Sequence, residues 1–181
     1  MATALQILAF VHNCGKLKRI KRSGWLRYDI PEVESVADHS YRLAVLCMLV
    51  SRNIGVSDRL DAIKMLKMAL LHDLAEILTG DITPKDGISR EAKSRLEAGA
   101  MKQILNDVDD DGELFGLWEE YNTGKTEEAK IVNALDKLEM AFQAKEYEAD
   151  CGDSLEEFYT FEPDEFTPEL VDDLYKLLKK G

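Results

Sequence analysis

Three polar residues that can bind a cation stand close together inside an apolar segment. His72 and Asp73 are adjacent, and Glu76 follows four residues after His72, within Met68-Ala-Leu-Leu-His-Asp-Leu-Ala-Glu-Ile-Leu78. On a helix, His72 and Glu76 would share one face and Asp73 would lie about 100° around it. Imidazole and carboxylate groups together form a ligand set for a divalent cation such as Mn, Fe, Co, Zn or Mg. The alternative is a buried structural ion pair, because polar groups in a core need partners.

Two further polar residues interrupt apolar helical patterns elsewhere in the chain. His39 lies in Ser35-Val-Ala-Asp-His-Ser-Tyr-Arg42, and Asp136 lies in Ile131-Val-Asn-Ala-Leu-Asp-Lys-Leu-Glu139. Each alone is typical of a core residue with satisfied hydrogen bonds. Together with His72-Asp73 they give the order His, His-Asp, Asp, with each part on its own predicted helix. Glu139, three residues after Asp136, either orients a neighbouring group or faces solvent.

The elements that must position these residues are predicted to be helices. Apolar residues recur at intervals of three and four, and the strict alternation of a strand is scarce. Capping and stop signals predict helices from Ser35 to near Asn53, Ser57 to about Thr79, Ser89 to about Asn106, Glu113 to Tyr121, Thr126 to about Ala149 and from Thr167 onward. The sequence therefore predicts an all-α protein.

Length and charge limit the class of protein. A chain of 181 residues with 45% apolar residues suits one domain with a buried core. A formal net charge of −12 argues against binding of a nucleic-acid polymer, because phosphate backbones repel an acidic surface. Residues 1–30 nevertheless hold six basic groups and one acid. That segment is either a solvated face or a local site for a small anion.

The cysteines and the apolar runs indicate the compartment. Cys14, Cys47 and Cys151 are scattered, so neither a disulfide framework nor a thiolate zinc site is predicted. The longest strictly apolar run, residues 43–50, is far too short to span a bilayer. No basic region precedes an apolar one at the N-terminus, as a signal peptide would require. We therefore expect a cytoplasmic protein without membrane association.

The order of His39, His72-Asp73 and Asp136 in a helical chain resembles the HD-domain metal-dependent phosphohydrolases. Further segments resemble one branch of that family, the small 5′-deoxynucleotidases of the HD domain-containing protein 2 type. These segments are Leu17-Lys-Arg-Ile-Lys-Arg-Ser-Gly-Trp-Leu26, Glu34-Ser-Val-Ala-Asp-His-Ser-Tyr-Arg42, His72-Asp-Leu-Ala-Glu76, Thr79-Gly-Asp-Ile-Thr-Pro84 and Gln143-Ala-Lys-Glu-Tyr-Glu148. The resemblance covers most of residues 5–150. It implies a single HD domain over 1–181, with an acidic helical tail at about 151–181.

The resemblance also implies an activity, the removal of phosphate from deoxyribonucleoside 5′-monophosphates. By position, the ligands of the principal cation would be His39, His72, Asp73 and Asp136. Glu76 and Asp81 match catalytic acids near the reacting phosphate. They could accept a proton, place the attacking water or protonate the departing 5′-oxygen. The same two acids, with the carbonyl of Ile82, are candidates for a second, weaker cation.

Basic and aromatic positions in the same motifs are expected to bind the substrate. Arg22 matches the basic residue that orients the phosphate, and its planar fork suits that role. Lys85 is placed for a second phosphate contact, and Trp25 matches an aromatic near the sugar. The carboxylates of Asp73 and Asp81 are expected to lie beside the bound substrate as well.

Several alternatives remain open at the level of sequence. The substrate could be another small nucleotide (a ribonucleotide, a diphosphate or a cyclic nucleotide), or the chain could be a sensor that binds metal or nucleotide without turnover. The full set of ligands and acids favours catalysis. A histidine-rich two-metal centre is disfavoured, because only His12 remains and it lies in an amphipathic stretch. Family analogy predicts a homodimer, and the cation could be Mn, Co, Mg, Fe or Zn.

Aromatic residues outside these motifs are interpreted as packing residues. Trp118 and Tyr121 lie three residues apart, and a second group of aromatics runs from Phe158 to Phe166. Both groups are typical of core or dimer contacts.

Overall fold

The helices account for most of the chain. The computed structural model describes residues 2–53, 60–159, 162 and 167–180. Its α-helices are α1 (Ala4–Cys14), α2 (Val36–Val50), α3 (Ala62–Leu71), α4 (Glu76–Thr79), α5 (Arg90–Leu105), α6 (Glu113–Thr123), α7 (Glu127–Cys151) and α8 (Glu169–Lys180). Short 3-10 turns cover Gly15–Arg19, Trp25–Arg27, Pro84–Asp86 and Glu156–Phe158. Within those described ranges the extended pairing is one isolated bridge between Lys21 and Ser35. The predicted all-α class is confirmed.

Side-chain caps fix where several helices begin. Ser35 Oγ accepts from the amide of Asp38 at 3.2 Å, and the Asp38 carboxylate accepts from the amide of Ser35 at 2.8 Å. This reciprocal capping box starts α2. Ser89 and Thr126 cap α5 and α7 by accepting from the amide three residues later. The boundaries predicted at Ser35, Ser89 and Thr126 are confirmed.

The segment that carries His72 is two helices, so the single helix predicted from Ser57 to about Thr79 is wrong. Ser57 lies outside the described residues. Helix α3 begins after Asp61, whose carboxylate accepts from the amides of the second and third residues that follow it. It ends at Leu71, and α4 begins only at Glu76.

The break between α3 and α4 is a tighter turn. The amide of Glu76 donates to the carbonyl of Asp73 at 3.0 Å, three residues back rather than four. The indole Nε1 of Trp118 donates to the carbonyl of His72 at 3.2 Å and so satisfies a group that a continuous helix would use. Because this turn is tighter than an α-helix, His72, Asp73 and Glu76 are not arranged around one helix axis as a regular helix would place them.

Two apolar clusters hold the helices that carry the polar residues. The larger joins α2, α3, α7 and α8 through buried side chains that include Leu43, Cys47, Met65, Met68, Leu135 and Val171. The smaller joins the N-terminal segment to α5 and α6 through Leu17, Val36, Met101 and Trp118. Full burial of one such aliphatic side chain contributes about 1.5–3 kcal/mol. Within the described ranges, no helix combines the length and the apolar character that crossing a membrane requires.

Candidate active site

Two histidines from different elements converge in the core. His39 lies in the first turn of α2 and His72 directly follows α3, and their Nε2 atoms are 3.2 Å apart. His72 Nδ1 lies 2.8 Å from the carbonyl of Ala69, and His39 Nδ1 bonds the carboxylate of Glu139. Because both partners of Nδ1 are acceptors, Nδ1 carries the proton in the neutral ring and Nε2 carries the lone pair. The Nε2 lone pairs of the two neutral rings are then available to bind one cation.

Two carboxylates lie beside this histidine pair. Asp73 Oδ2 is 3.0 Å from His72 Nε2, and Asp136 Oδ1 is 3.1 Å from His39 Nε2. Ligand atoms of His39, His72 and Asp73 all lie within 4.8 Å of one another. Two imidazoles and two carboxylates are a donor set that divalent transition metals accept. The residues present therefore fit a cation at this position.

Both carboxyl groups are anionic in this environment. Burial would raise the pKa of Asp136, but the hydrogen bond and charge of His39 lower it to about 2. Burial acts the same way on Asp73, and His72 and Arg22 hold its pKa well below the usual range. The ionised form is the one that binds metal, so these two acids are ready to act as ligands.

Glu139 fixes the orientation of His39 from behind. It is fully buried, accepts from His39 Nδ1 with one oxygen and from Arg42 Nε with the other at 2.7 Å. Arg42 is held in turn by Gln143 and Glu146, each at 2.7 Å. Burial raises the pKa of Glu139, but His39 and Arg42 outweigh it and lower that pKa. Of the two roles left open by the sequence, orientation of a neighbour is the one observed.

Trp118 and Tyr121, which were expected only to pack in the core, also donate hydrogen bonds to residues of the site. Both are buried, as expected. Tyr121 also donates its hydroxyl to Asp136 Oδ2 at 2.8 Å and lies edge-on to the ring of His72. Trp118 donates to the carbonyl of His72. These bonds could have been expected from the residue types, because a buried indole N–H or phenol O–H needs a hydrogen-bond partner.

Glu76 is a buried acid that faces a cavity. The cavity has a volume of about 670 Å³, which is in the range of sites for small organic ligands. Glu76 is only 2% exposed, and its Oε2 has no hydrogen-bond partner among the residues that the structure describes. Burial, reinforced by the charges of Asp73 and Asp81, raises its pKa to about 10. A carboxyl group that stays protonated near neutral pH can donate a proton.

Asp81 and Ile82 follow α4 and line the same cavity. Asp81 Oδ2 accepts from the amide of Ser23 at 2.6 Å, and Ser23 Oγ donates to the carbonyl of Asp81 at 2.9 Å. These bonds tie the loop after α4 to the N-terminal basic segment. The carbonyl of Ile82, a candidate ligand of a second cation, accepts from Lys93 Nζ at 2.8 Å. A cation bound at the Ile82 carbonyl would therefore compete with the Lys93 ammonium group for that oxygen.

Arg22 supplies the positive charge beside the acids. Its Nη1 lies 3.2 Å from Asp73 Oδ2, and the residue lines the cavity. Burial would lower its pKa, but the charges of Asp73, Asp81 and Asp136 raise it, so the guanidinium stays charged. Of the six basic residues near the N-terminus, this one lies within the cluster of acids.

The two other expected substrate contacts are engaged with protein groups. Trp25 lines the cavity but is 2% exposed, and its Nε1 donates to Glu34 at 2.8 Å. Lys85 Nζ donates to both carboxylate oxygens of Glu157 at 2.8 Å. Phe158, assigned above to core or dimer contacts, lines the cavity too. Phe161 and Phe166, from the same aromatic group, lie outside the described residues.

Comparison with known proteins defines the class. The family model described as HD domain matches residues 14–171. The chain belongs to the HD domain family. The mouse protein named 5′-deoxynucleotidase HDDC2 is 44% identical over 170 residues, which cover 91% of this chain and 83% of the relative. A relative of the same name from Dictyostelium discoideum is 45% identical over 146 residues, covering 78% and 77%.

Solved structures share the fold. A conserved hypothetical protein from Pyrococcus furiosus superposes with a TM-score of 0.79 at 34% identity, covering 93% of this chain and 99% of its own. The HD phosphohydrolase DatZ of cyanophage S-2L, described as bound to dA and one catalytic Zn²⁺ ion, has a TM-score of 0.60 at 21% identity. It covers 94% of this chain and 96% of its own, and at that identity it supports the fold alone.

Proposed function

We propose that this chain is a divalent-metal-dependent 5′-deoxynucleotidase, which hydrolyses deoxyribonucleoside 5′-monophosphates to deoxyribonucleosides and phosphate. The observation that carries the proposal is the contact between the Nε2 atoms of His39 and His72, with Asp136 Oδ1 beside the first and Asp73 Oδ2 beside the second. Relatives from mouse and Dictyostelium carry the name of this activity. A net charge of −12 favours a small anion over a nucleic-acid polymer as substrate.

The residues around the cavity suit the hydrolysis of a phosphomonoester. A divalent cation held by the four ligands would lower the pKa of a water molecule and neutralise charge on the phosphoryl oxygens. Arg22 orients the phosphate with its guanidinium fork. The carboxylate of Asp81, fixed by the amide of Ser23, takes a proton from the water that attacks phosphorus. As the bond from phosphorus to the 5′-oxygen breaks, Glu76 gives its proton to that oxygen.

Two expected contacts take more specific forms in this proposal. Lys85 reaches the phosphate only when it leaves Glu157, so we assign it to substrate capture rather than to the chemical step. Trp25 is 2% exposed and lies behind Phe158, so it supports the cavity wall on the side of the nucleoside. A second cation at Glu76, Asp81 and the Ile82 carbonyl would bind weakly, because Lys93 already donates to that carbonyl.

The donor set combines nitrogen and oxygen ligands. It contains two imidazoles and two carboxylates and no thiolate, which suits Mn, Co, Fe or Mg as well as Zn. We propose that Mn, Co or Mg supports turnover. Measuring phosphate release from dAMP by metal-stripped protein, with each cation added back, tests both the activity and the choice of cation.

We propose a homodimer, with helix α1 as part of the interface. Leu5, Leu8 and Val11 are 75%, 67% and 59% exposed, although they are apolar and lie on one helix. Exposed apolar side chains that recur every three residues along one helix are typical of an interaction site. The molar mass from light scattering should correspond to two chains, and Leu8→Glu should halve it. A monomeric wild-type protein would contradict the assignment.

We propose that the protein works in the cytoplasm. Cys14, Cys47 and Cys151 are all free thiols. Thiols persist in compartments that glutathione and thioredoxin keep reduced. Localisation of the tagged full chain by microscopy tests this, and a secreted or organellar pattern would contradict it.

A further inference from the structure

The aromatic ring of Trp25 has little surface left for a ligand. Tyr147 packs edge-on against it, with ring centroids 5.4 Å apart. Phe158 lies over it at a centroid distance of 4.1 Å and an interplanar angle of 40°. The indole N–H is taken by Glu34. Trp25 is therefore a support for Phe158 rather than the face that meets a substrate.

Phe158 presents an aromatic surface to the cavity, whereas Tyr121, which also lines it, is buried with its hydroxyl bonded to Asp136. Phe158 is half-buried and lines the same cavity as Asp136. Tyr28 packs against its edge, with centroids 5.9 Å apart. A Cβ atom at Gly24 would lie 3.2 Å from Phe158 Cε1, so the close approach of the two segments favours glycine at position 24. The ring is held in place by these contacts from the N-terminal segment.

The turn that carries Phe158 belongs to the acidic C-terminal tail, for which the sequence offered no motif. Leu155 anchors this turn, because it is fully buried in a cluster with Trp25, Ala144 and Tyr147. Glu157 adds its bond to Lys85, but both side chains are about half exposed, and exposed pairs contribute only ~0–1 kcal/mol. Apolar packing therefore holds the turn against the cavity.

We propose that the nucleobase of the substrate stacks on Phe158, so that the C-terminal tail selects nucleotides over other phosphomonoesters. This inference rests on the proposed function and deepens it. One part of the cavity wall holds Arg22 and three of the proposed cation ligands, His72, Asp73 and Asp136, and another part holds the ring of Phe158. A deoxynucleoside monophosphate has matching parts, an anionic phosphate and a flat base. Stacking on an aromatic side chain contributes about 1–3 kcal/mol per base.

The test compares two substrates that differ only in the base. We would measure kcat and KM for dAMP and for 2-deoxyribose 5-phosphate with metal-loaded wild type, Phe158→Leu, Phe158→Ala and Phe158→Tyr. The Leu and Ala variants should raise KM for dAMP by roughly tenfold, and the Tyr variant should stay near wild type. KM for 2-deoxyribose 5-phosphate should not change in any variant.

Two controls separate stacking from structural effects. Phe158→Leu keeps an apolar side chain over Trp25, and its unchanged thermal midpoint would exclude loss of the tail. Tyr41→Ala removes an aromatic that is 71% exposed and outside this cavity, so both KM values should stay at wild type.

Two kinetic results would overturn the proposed stacking of the base on Phe158. An unchanged KM for dAMP in Phe158→Leu and Phe158→Ala, or an equal rise for both substrates, would show that Phe158 does not stack on the base. If wild type released no phosphate with any cation, the proposed function would fail instead. Calorimetric binding of dAMP and 2-deoxyribose 5-phosphate to wild type and Phe158→Leu would then decide the role of Phe158. Equal affinities of the two proteins for dAMP would overturn it.

Discussion

The Nε2 atoms of His39 and His72 lie 3.2 Å apart, although 33 positions separate the two residues in the chain. Two neutral rings whose Nδ1 protons are engaged elsewhere would direct two lone pairs at each other. A cation shared with Asp73 and Asp136 would resolve that contact, and without one an imidazole must be protonated. The site is therefore organised for a positive charge.

Cation binding should displace protons. Burial and the charge of Arg22 lower the pKa of His39, but hydrogen bonds to Asp136 and Glu139 outweigh them and raise it to about 10 in the metal-free site. His39 is then protonated at neutral pH and must lose that proton to bind metal, so affinity should rise with pH. Calorimetry in buffers of different ionisation enthalpy counts the protons released. Affinity independent of pH, with no proton release, would contradict this.

Removing a ligand should remove the metal. His72→Ala and Asp73→Ala should lose bound metal on dialysis and reduce phosphate release by roughly 1000-fold or more, because several kcal/mol of charge stabilisation are lost. Elemental analysis and the phosphate assay measure the two effects. His12→Ala is the matched control, since His12 is exposed on α1. A variant that kept both metal and rate would remove that residue from the site.

Glu139→Gln should weaken metal binding more than it weakens the chemistry. The variant keeps an acceptor for His39 Nδ1 but loses the negative charge, and such outer partners typically contribute 10- to 100-fold in metal affinity. Turnover should recover at saturating metal. Glu146→Gln, which changes the exposed partner of Arg42, is the control and should bind metal normally. Equal affinities of the two variants would show that Glu139 does not act through His39.

Glu76→Gln should retain the bound metal and lower kcat. General acid catalysis contributes typically 10²–10⁴-fold, so kcat should fall by about that factor while metal content stays at wild type. Because the pKa of Glu76 is raised to about 10, the wild-type acid is protonated at neutral pH and loses its proton as the pH rises. The kcat of wild type should therefore decline on the alkaline side. The same decline in Glu76→Gln would assign that ionisation to another group.

Arg22→Ala should mainly weaken phosphate binding. Hydrogen bonds to a charged group contribute about 1.5–3 kcal/mol, so KM for dAMP should rise roughly 10- to 100-fold with a smaller change in kcat. Arg19→Ala removes an exposed charge from the same basic segment and should leave KM unchanged. Equal KM values for the two variants would indicate that net charge, rather than a contact from Arg22, attracts the substrate.

Local signals made part of this structure predictable. The caps at Ser35, Ser89 and Thr126 act within three residues, so the start of each helix could be read from a short segment. His39 and Asp136 were found because a polar residue inside an apolar helix needs a partner. The fold class and the family are confirmed for the same reason, since both rest on short motifs and periodicity.

Contacts between distant segments could not be predicted in this way. The break after α3 depends on the indole of Trp118, which reaches the carbonyl of His72 from another helix. The bond from Tyr121 to Asp136 and the packing of Phe158 on Trp25 likewise join segments that carry no shared pattern. These tertiary contacts decide which aromatic residues serve the site and which only fill the core.

Phosphate release by metal-stripped protein tests the central claim most directly. dAMP and AMP would be offered in chelator, and then with Mn, Co, Mg or Zn added back. We expect no release in chelator, recovery with at least one of Mn, Co and Mg, and faster hydrolysis of dAMP than of AMP. Undiminished release in chelator, or no release with any cation in protein shown to bind it, would contradict the account.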